Sequence, residues 1–288
     1  RAIDLKRYQR RQKSRHLNIV KRKFRETDYM FKEIDDSTAL LRINTFSFEG
    51  NEGNEKVKFK SFMDTIFLKM KKDKTENLIV DLRGNGGGND PNHMVTVAYL
   101  NDKAKRDVNQ AWVSFTKNIP YWKYMVLNIP FYQKPIAKIK LRKRMKKELP
   151  VIKNGRRYYD DIKVYEPEEN RFQGDIYLLV GPSTASAASN GAALISNNDS
   201  VTVIGEETAG GYYMHNGVFP IKYKLPNTEI ITQFSIVNLT QDVTKNENQP
   251  VGRGLIPDIE VKRTLEDYIN GRDSVLEFTK AHIHENKF

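Results

Sequence analysis

Ile176-Tyr177-Leu178-Leu179-Val180-Gly181-Pro182-Ser183-Thr184-Ala185-Ser186-Ala187-Ala188-Ser189-Asn190-Gly191-Ala192-Ala193-Leu194-Ile195 joins two kinds of local pattern. Its first five residues form an apolar run of strand length with β-branched and aromatic side chains, and Ala187 to Ile195 reads as the opening of a buried helix. A strand therefore ends and a helix begins near Ser183 to Ser186. The first turn of a helix leaves N–H groups without partners, and Ser183 or Thr184 can cap them. Ser186 falls inside that first turn between Ala185 and Ala187. Small neighbours let a carbonyl group approach its hydroxyl, and the Ala187 N–H can face the oxyanion that would form. The same residues also fit a capped, alanine-rich helix packed on a sheet, with no chemistry.

Outward from this junction the chain alternates helix and strand signals. Phe62, Ile66, Phe67 and Met70 recur at helical spacing and predict a helix over 59–72. Asn77 to Leu82 is a short buried strand running into Arg83-Gly84-Asn85-Gly86-Gly87-Gly88-Asn89-Asp90, followed by a helix through His93, Val97 and Leu100. Helix, strand, glycine loop and helix in this order predict crossover connections and a mainly parallel sheet in an α/β fold. Upstream, Tyr29 to Ile34 and Ala39 to Phe46 read as a hairpin, with a polar loop at 49–56. Downstream, Val201 to Gly205 is a strand leading into Glu206-Glu207-Thr208-Ala209-Gly210-Gly211. A hairpin over 219–225 and 230–237 turns at Pro226-Asn227, and a helix over 264–284 closes the chain.

The 288 residues carry a formal charge of +12, concentrated in two stretches. Residues 1–25 hold eleven Lys or Arg against one Asp, and residues 136–157 hold ten against one Glu, so the remainder is acidic. Such local positive charge suits solvated helix faces or contact with an anionic surface, membrane or acidic partner. The chain has no RNP, KH or zinc-finger pattern, and hence no dedicated nucleic-acid module. Cysteine is absent, and the five histidines at 16, 93, 215, 282 and 284 follow no metal-binding spacing, so neither a metal nor a cofactor is expected. Residues 1–28 read as a basic N-terminal helical arm and 29–288 as the core. Within the core, the aromatic and basic segment 112–170 is an inserted lid, a membrane-facing cap or a helical excursion packed on its own domain.

The glycine loop lacks both the Gly-x-x-x-x-Gly-Lys-Ser/Thr and the Gly-x-Gly-x-x-Gly spacing of nucleotide sites. Consecutive glycines after a strand can instead offer backbone N–H groups to an oxyanion, or simply make a tight turn. A nucleophilic serine needs a proton acceptor, for which His215, in Gly210-Gly211-Tyr212-Tyr213-Met214-His215-Asn216-Gly217, is the best-placed candidate; His93 is the other.

Four segments taken together carry a resemblance: Asp81-Leu82-Arg83-Gly84-Asn85-Gly86-Gly87-Gly88, Ser183-Thr184-Ala185-Ser186-Ala187-Ala188, Gly205-Glu206-Glu207-Thr208-Ala209-Gly210-Gly211, and Gly254-Leu255-Ile256-Pro257-Asp258-Ile259-Glu260-Val261. In this order they resemble the tail-specific, or C-terminal processing, serine peptidase family over roughly residues 38–280. The resemblance implies a crotonase-like β/α core, cleavage of polypeptides near exposed C-termini, and an exported, periplasmic or cell-envelope location. It implies Ser186 as nucleophile, with an oxyanion hole from the Ala187 N–H and an N–H of Gly87 or Gly88. Many members of the family use a lysine as base, at a position that falls here at about Gly211. Other branches use a histidine from an early strand, near Arg42 here. Neither residue is present, and His215 falls near the family's supporting glutamine. The expectation is therefore a serine endopeptidase in which His215 serves as base, oriented by Asp258 or Glu207. Its rival is an inactive peptide-binding member of the same fold.

Overall fold

The structure, a computed structural model, describes residues 28–48, 52–88, 91–215 and 217–285. The strands are β1 (Tyr29–Glu33), β2 (Thr38–Ile43), β3 (Asn77–Asp81), β4 (Lys105–Arg106), β5 (Gln110–Val113), β6 (Val151–Lys153), β7 (Arg156–Tyr158), β8 (Val164–Tyr165), β9 (Asp175–Val180), β10 (Val201–Gly205), β11 (Pro220–Lys224), β12 (Ile231–Ser235), β13 (Asn238–Thr240) and β14 (Ile259–Glu260). The helices are α1 (Glu52–Asp73), α2 (Asn92–Leu100), α3 (Lys134–Glu148), α4 (Ala187–Ile195), α5 (Leu265–Ile269) and α6 (Ser274–Glu285).

The largest sheet has the order β1-β2-β3-β9-β10-β14. Only the β1–β2 hairpin is antiparallel; β2, β3, β9, β10 and β14 run parallel. Burial on both faces explains why the central strands are nearly continuous apolar runs. Leu41, Val80 and Leu178 point into one core, closed by Met63 and Phe67 of α1, Val97 of α2 and Ala192 of α4. Leu40, Ile79 and Leu179 point the other way, onto Val275 and Ile283 of α6. The alternation of consecutive residues between the two cores is the period-two signature of strands.

The expected crotonase-like β/α core is not formed. The described strands divide into one six-stranded sheet and three separate small sheets of two, four and two strands, not the repeated turns of a crotonase spiral. The physical reason lies in residues 105–165 and 219–240, which leave the main sheet and pair with each other. The four-stranded sheet has the order β13-β5-β7-β6, and β11 forms a two-stranded sheet with β12. These elements bury a second core of Val113, Ile119, Met145, Phe219, Tyr223 and Leu239. Much of the 112–170 segment therefore shares an interior with the β11–β12 hairpin.

Local boundaries also differ from the sequence reading. The loop expected at 49–56 is helical from Glu52, so α1 starts earlier than its apolar spacing implied. The closing helix is broken between α5 and α6 at Gly271, whose φ of +68° a helix cannot accommodate. Thr264 starts α5 with a capping box to Asp267. Apart from residue 28, the basic N-terminal helical arm expected over 1–28 lies outside the described residues.

Candidate active site

The turn between β9 and α4 is built by bonds to distant backbone. Thr184 is fully buried; its Oγ1 donates to the Leu82 carbonyl (2.9 Å) and accepts from the Gly181 N–H (3.1 Å). It is thus a connector between loops and not the expected helix cap. The Ala185 N–H donates to the Asn85 carbonyl (3.1 Å), and the Ala209 N–H donates to the Thr184 carbonyl (3.0 Å). The loops after β3, β9 and β10 are thereby tied together at one point.

That tie holds Ser186 in a conformation which side-chain-bearing residues rarely adopt, φ +53° and ψ −128°. Such a backbone costs about 1–3 kcal/mol and persists only where its surroundings over-determine it. Ser186 is the N-cap residue of α4 and not a member of its first turn; its carbonyl accepts from the Asn190 N–H (3.0 Å) and the Ser189 hydroxyl (2.9 Å). Its side chain is exposed, and its Oγ makes no hydrogen bond among the described residues. The Ala187 N–H, the first of the helix, likewise has no acceptor among them.

The glycine loop lies directly against this serine. A Cβ built on Gly87, whose φ is +103°, would stand 2.7 Å from Ser186 Cβ, 2.8 Å from the Ala185 carbonyl oxygen and 3.0 Å from the Ala187 nitrogen. Gly87 therefore permits the close approach. Its own N–H, however, donates to Asn85 Oδ1 at 2.9 Å, whereas the Gly88 N–H has no acceptor among the described residues. Asn85 is wholly buried, and its Nδ2 donates to the Ile43 carbonyl (3.1 Å). In the sequence Asn85 carries no functional signal beyond being the one side chain inside a run of glycines.

His215 is brought to the same place. A Cβ on Gly217 would stand 3.3 Å from His215 Nδ1 and 4.0 Å from Ser186 Oγ, so the imidazole and the hydroxyl flank one glycine. The Gly217 N–H donates to His215 Nδ1 at 3.2 Å, which marks Nδ1 as a nitrogen carrying a lone pair on the Gly217 side. The loop bearing His215 is anchored by Gln241, a buried residue that sequence gave no reason to choose. Its Oε1 accepts from Asn190 Nδ2 of α4 (2.9 Å), its Nε2 donates to the Gly211 carbonyl, and its N–H donates to the Tyr213 carbonyl (2.9 Å).

The other expected residues lie elsewhere. The Glu207 carboxylate takes hydrogen bonds from the Arg253 guanidinium and from the Gly254 N–H (2.7 Å). The Arg253 hydrogen bond, aided by that N–H, holds its pKa below the usual carboxylate value. Asp258 Oδ2 accepts from the Val203 N–H at 2.8 Å. Both carboxylates fasten loops and neither is brought to His215. His93 is buried on α2 against Phe46 and the Gly191 face of α4, behind the serine helix. At Gly211 an added Cβ would meet the Met214 carbonyl oxygen at 2.3 Å, so a lysine does not fit this loop as it stands.

Beneath the glycine loop lies an ion cluster. Asp81, 4 % exposed, accepts from Arg42 Nε (2.9 Å) and from Arg83 Nε (2.9 Å), and Arg83 also grips Asp273 with two bonds of 2.6 and 2.8 Å. Burial alone would raise the pKa of both aspartates, but the hydrogen bonds and charge of Arg83 outweigh it and hold each below the ordinary value. The cluster fixes the root of the glycine loop to the residue preceding α6. It also lines an open cleft of about 610 Å³ at the carboxyl ends of β2, β3, β9 and β10, which reaches Ser183 but not Ser186 or His215. Among the described residues no three His, Asp or Glu side chains are grouped to hold a metal ion, and no helix is long and apolar enough to cross a membrane.

Residues 37–261 match the family model described as Peptidase family S41. No curated protein matches the sequence. Among solved structures, a chain described as a candidate peptidase from Parabacteroides merdae ATCC 43184 aligns with a TM-score of 0.53 and 19% identity over 89% of this chain and 66% of its own. That alignment supports the fold. A photosystem II D1 C-terminal processing protease aligns at 0.45 with 14% identity, covering 83% of this chain and 50% of its own. A chain described as a candidate S41 protease from Bacteroides fragilis NCTC 9343 aligns at 0.43 with 15% identity, covering 84% and 51%. The chain thus spans between half and two thirds of the length of these three.

Proposed function

The chain belongs to peptidase family S41, and from that premise we propose that it is a serine endopeptidase cutting extended or C-terminally exposed polypeptides through Ser186. The observation that carries the reading is the serine itself. Its backbone is held in a costly conformation at a helix N-terminus, and its unbonded hydroxyl and the His215 imidazole both lie against Gly217. In this reading Ser186 Oγ attacks the carbonyl carbon while His215 Nδ1 takes the hydroxyl proton, displacing the Gly217 N–H from that nitrogen. The N–H groups of Ala187 and Gly88 receive the oxyanion, since the Gly87 N–H is already given to Asn85. His215 then returns the proton to the leaving amine, and water releases the acyl group by the reverse exchange.

The engagement of His215 Nδ1 by a backbone N–H supports a second reading, a peptide-binding member without turnover. Incubation of the purified chain with an unfolded polypeptide separates the two. The peptidase reading expects cleavage that Ser186→Ala abolishes with little change in melting temperature; cleavage persisting in that variant refutes it. Export to the cell envelope belongs to the same proposal, as does contact of the exposed lysines and arginines of α3 with an anionic surface. Cosedimentation with phosphatidylglycerol vesicles that resists high salt would contradict the electrostatic contact.

A further inference from the structure

The β11–β12 hairpin leaves one strand edge open. β11 is paired on both sides, to β12 and, through the Met125–Tyr223 bridge, to the segment before α3; β12 is paired on one side only. The register places Ile221 opposite Phe234 and Tyr223 opposite Thr232, and the end bonds run from the Leu225 N–H to the Ile230 carbonyl and from the Ile236 N–H to the Phe219 carbonyl. In an antiparallel ladder these alternate positions use their backbone groups inward. Ile231, Gln233 and Ser235 therefore direct their N–H and carbonyl groups outward, where no strand pairs with them among the described residues.

Beside this edge lies an apolar groove of about 560 Å³, lined chiefly by Phe115, Tyr121, Tyr124, Tyr223, Leu225 and Phe234. Tyr223 and Phe234 stack at 5.2 Å, and Phe234 remains 47 % exposed. The one charged residue in the lining, Lys224, is paired with Glu229 at 2.7 Å. The groove thus offers apolar surface with a neutralised rim, next to a row of backbone donors and acceptors. The combination suits an extended polypeptide: its backbone completes the ladder and alternate apolar side chains enter the groove. A lipid surface would leave the edge unpaired.

The edge is continuous with the candidate site. β11 starts three residues after Gly217, and its first residue, Pro220, pairs with Ser235. From Ser235 to Ile231 the edge runs about 13 Å away from the serine, at roughly 3.3 Å per residue. We propose that the outer edge of β12 and its aromatic groove dock an uncharged, apolar, extended segment of the substrate polypeptide, away from the scissile bond. The inference rests on the peptidase reading in taking the docked segment to be part of a substrate.

The test measures fluorescence anisotropy of a fluorescein-labelled ten-residue peptide alternating phenylalanine or valine with serine, titrated with the full 288-residue chain carrying Ser186→Ala. Saturable binding is expected, with loss of binding when alternate peptide nitrogens are methylated. Gln233→Pro removes an outward N–H that the β11 ladder does not use, and Phe234→Asp places a charge in the groove; each is expected to weaken binding about tenfold or more. Melting curves check that both variants fold, and either one alone suffices to read the result. Absence of binding, or affinities within twofold in a folded variant, overturns the proposal. So does capture of phosphatidylglycerol vesicles by this face, with the same sensitivity to Phe234→Asp. Labelling of the unsubstituted chain by a fluorophosphonate separates the two claims. Labelled serine without peptide capture refutes only the docking edge, and capture without labelling refutes only the peptidase.

Discussion

Substituting Gly87 by alanine adds a single methyl group at the closest approach between the glycine loop and the serine turn. The new Cβ would sit 2.7 Å from Ser186 Cβ and 2.8 Å from the Ala185 carbonyl oxygen, and the φ of +103° is one that alanine adopts only under strain. The backbone term alone is about 1–3 kcal/mol, and the overlap with main-chain atoms, which cannot rotate away, adds a further ~1–3 kcal/mol. At roughly 2–4 °C per kcal/mol for a chain of this order of size, a cost of about 3 kcal/mol lowers the melting temperature by about 6–12 °C. Gly86 supplies the control: a Cβ there meets nothing within 4 Å, and its φ is not positive, so Gly86→Ala should stay within about 0.5 kcal/mol of the parent. Differential scanning fluorimetry reads the stability of both variants, and the rate of fluorophosphonate labelling reads the serine. Gly87→Ala is expected to lose both stability and labelling. Equal melting and labelling of the two alanine variants would refute the packing of this loop on Ser186.

Three further outcomes follow from the same contacts. Gln241→Leu cuts the side-chain links to Asn190 and to the Gly211 carbonyl, and should lower stability by about 2 kcal/mol and turnover by more than the fold defect explains, since the His215 loop loses its anchor; unchanged kcat in a folded variant contradicts that positioning. His215→Gln should reduce peptide turnover by about 10²–10⁴-fold with the melting temperature nearly kept, measured with saturating substrate. For Asp273 the folded pKa lies below the ordinary one. Its stabilisation is therefore present in full above about pH 4, where the unfolded carboxylate is ionised, and is lost as pH falls through the folded value. Asp273→Asn should accordingly cost about 1–2 kcal/mol at pH 7, discounted for partial exposure, with the difference from the parent shrinking below pH 4 in urea titrations.

The parts of this architecture that sequence exposed are those set by neighbours along the chain. The apolar run before Gly181, the small residues after Ser186 and the glycine loop after Asp81 each imply their element locally, and the 219–237 hairpin follows from its turn residues. The position of Ser186 was legible to within one residue, because the choice between N-cap and first turn depends on backbone angles fixed by bonds from Asn85, Leu82 and Ala209. Partners far apart in sequence were not legible. Asn190 meets Gln241 across 51 residues and Arg83 meets Asp273 across 190, and no local pattern marks either pair. The same reason accounts for the incorrect crotonase-like expectation: whether strands return to one sheet or build separate ones is decided by pairings such as Leu239 with Ala111, which no window of sequence contains. Glu207 and Asp258 have the chemistry of a histidine-orienting carboxylate, yet each accepts a hydrogen bond from a backbone N–H of another loop or strand.

The central claim is that Ser186 is an activated nucleophile, and covalent mapping tests it most directly. Treatment of the native chain with a fluorophosphonate, followed by proteolytic digestion and mass spectrometry, should place the phosphonyl adduct on Ser186 and not on neighbouring Ser183 or Ser189. An adduct at another residue, or none at Ser186 under conditions in which the chain cleaves peptide, would contradict the account.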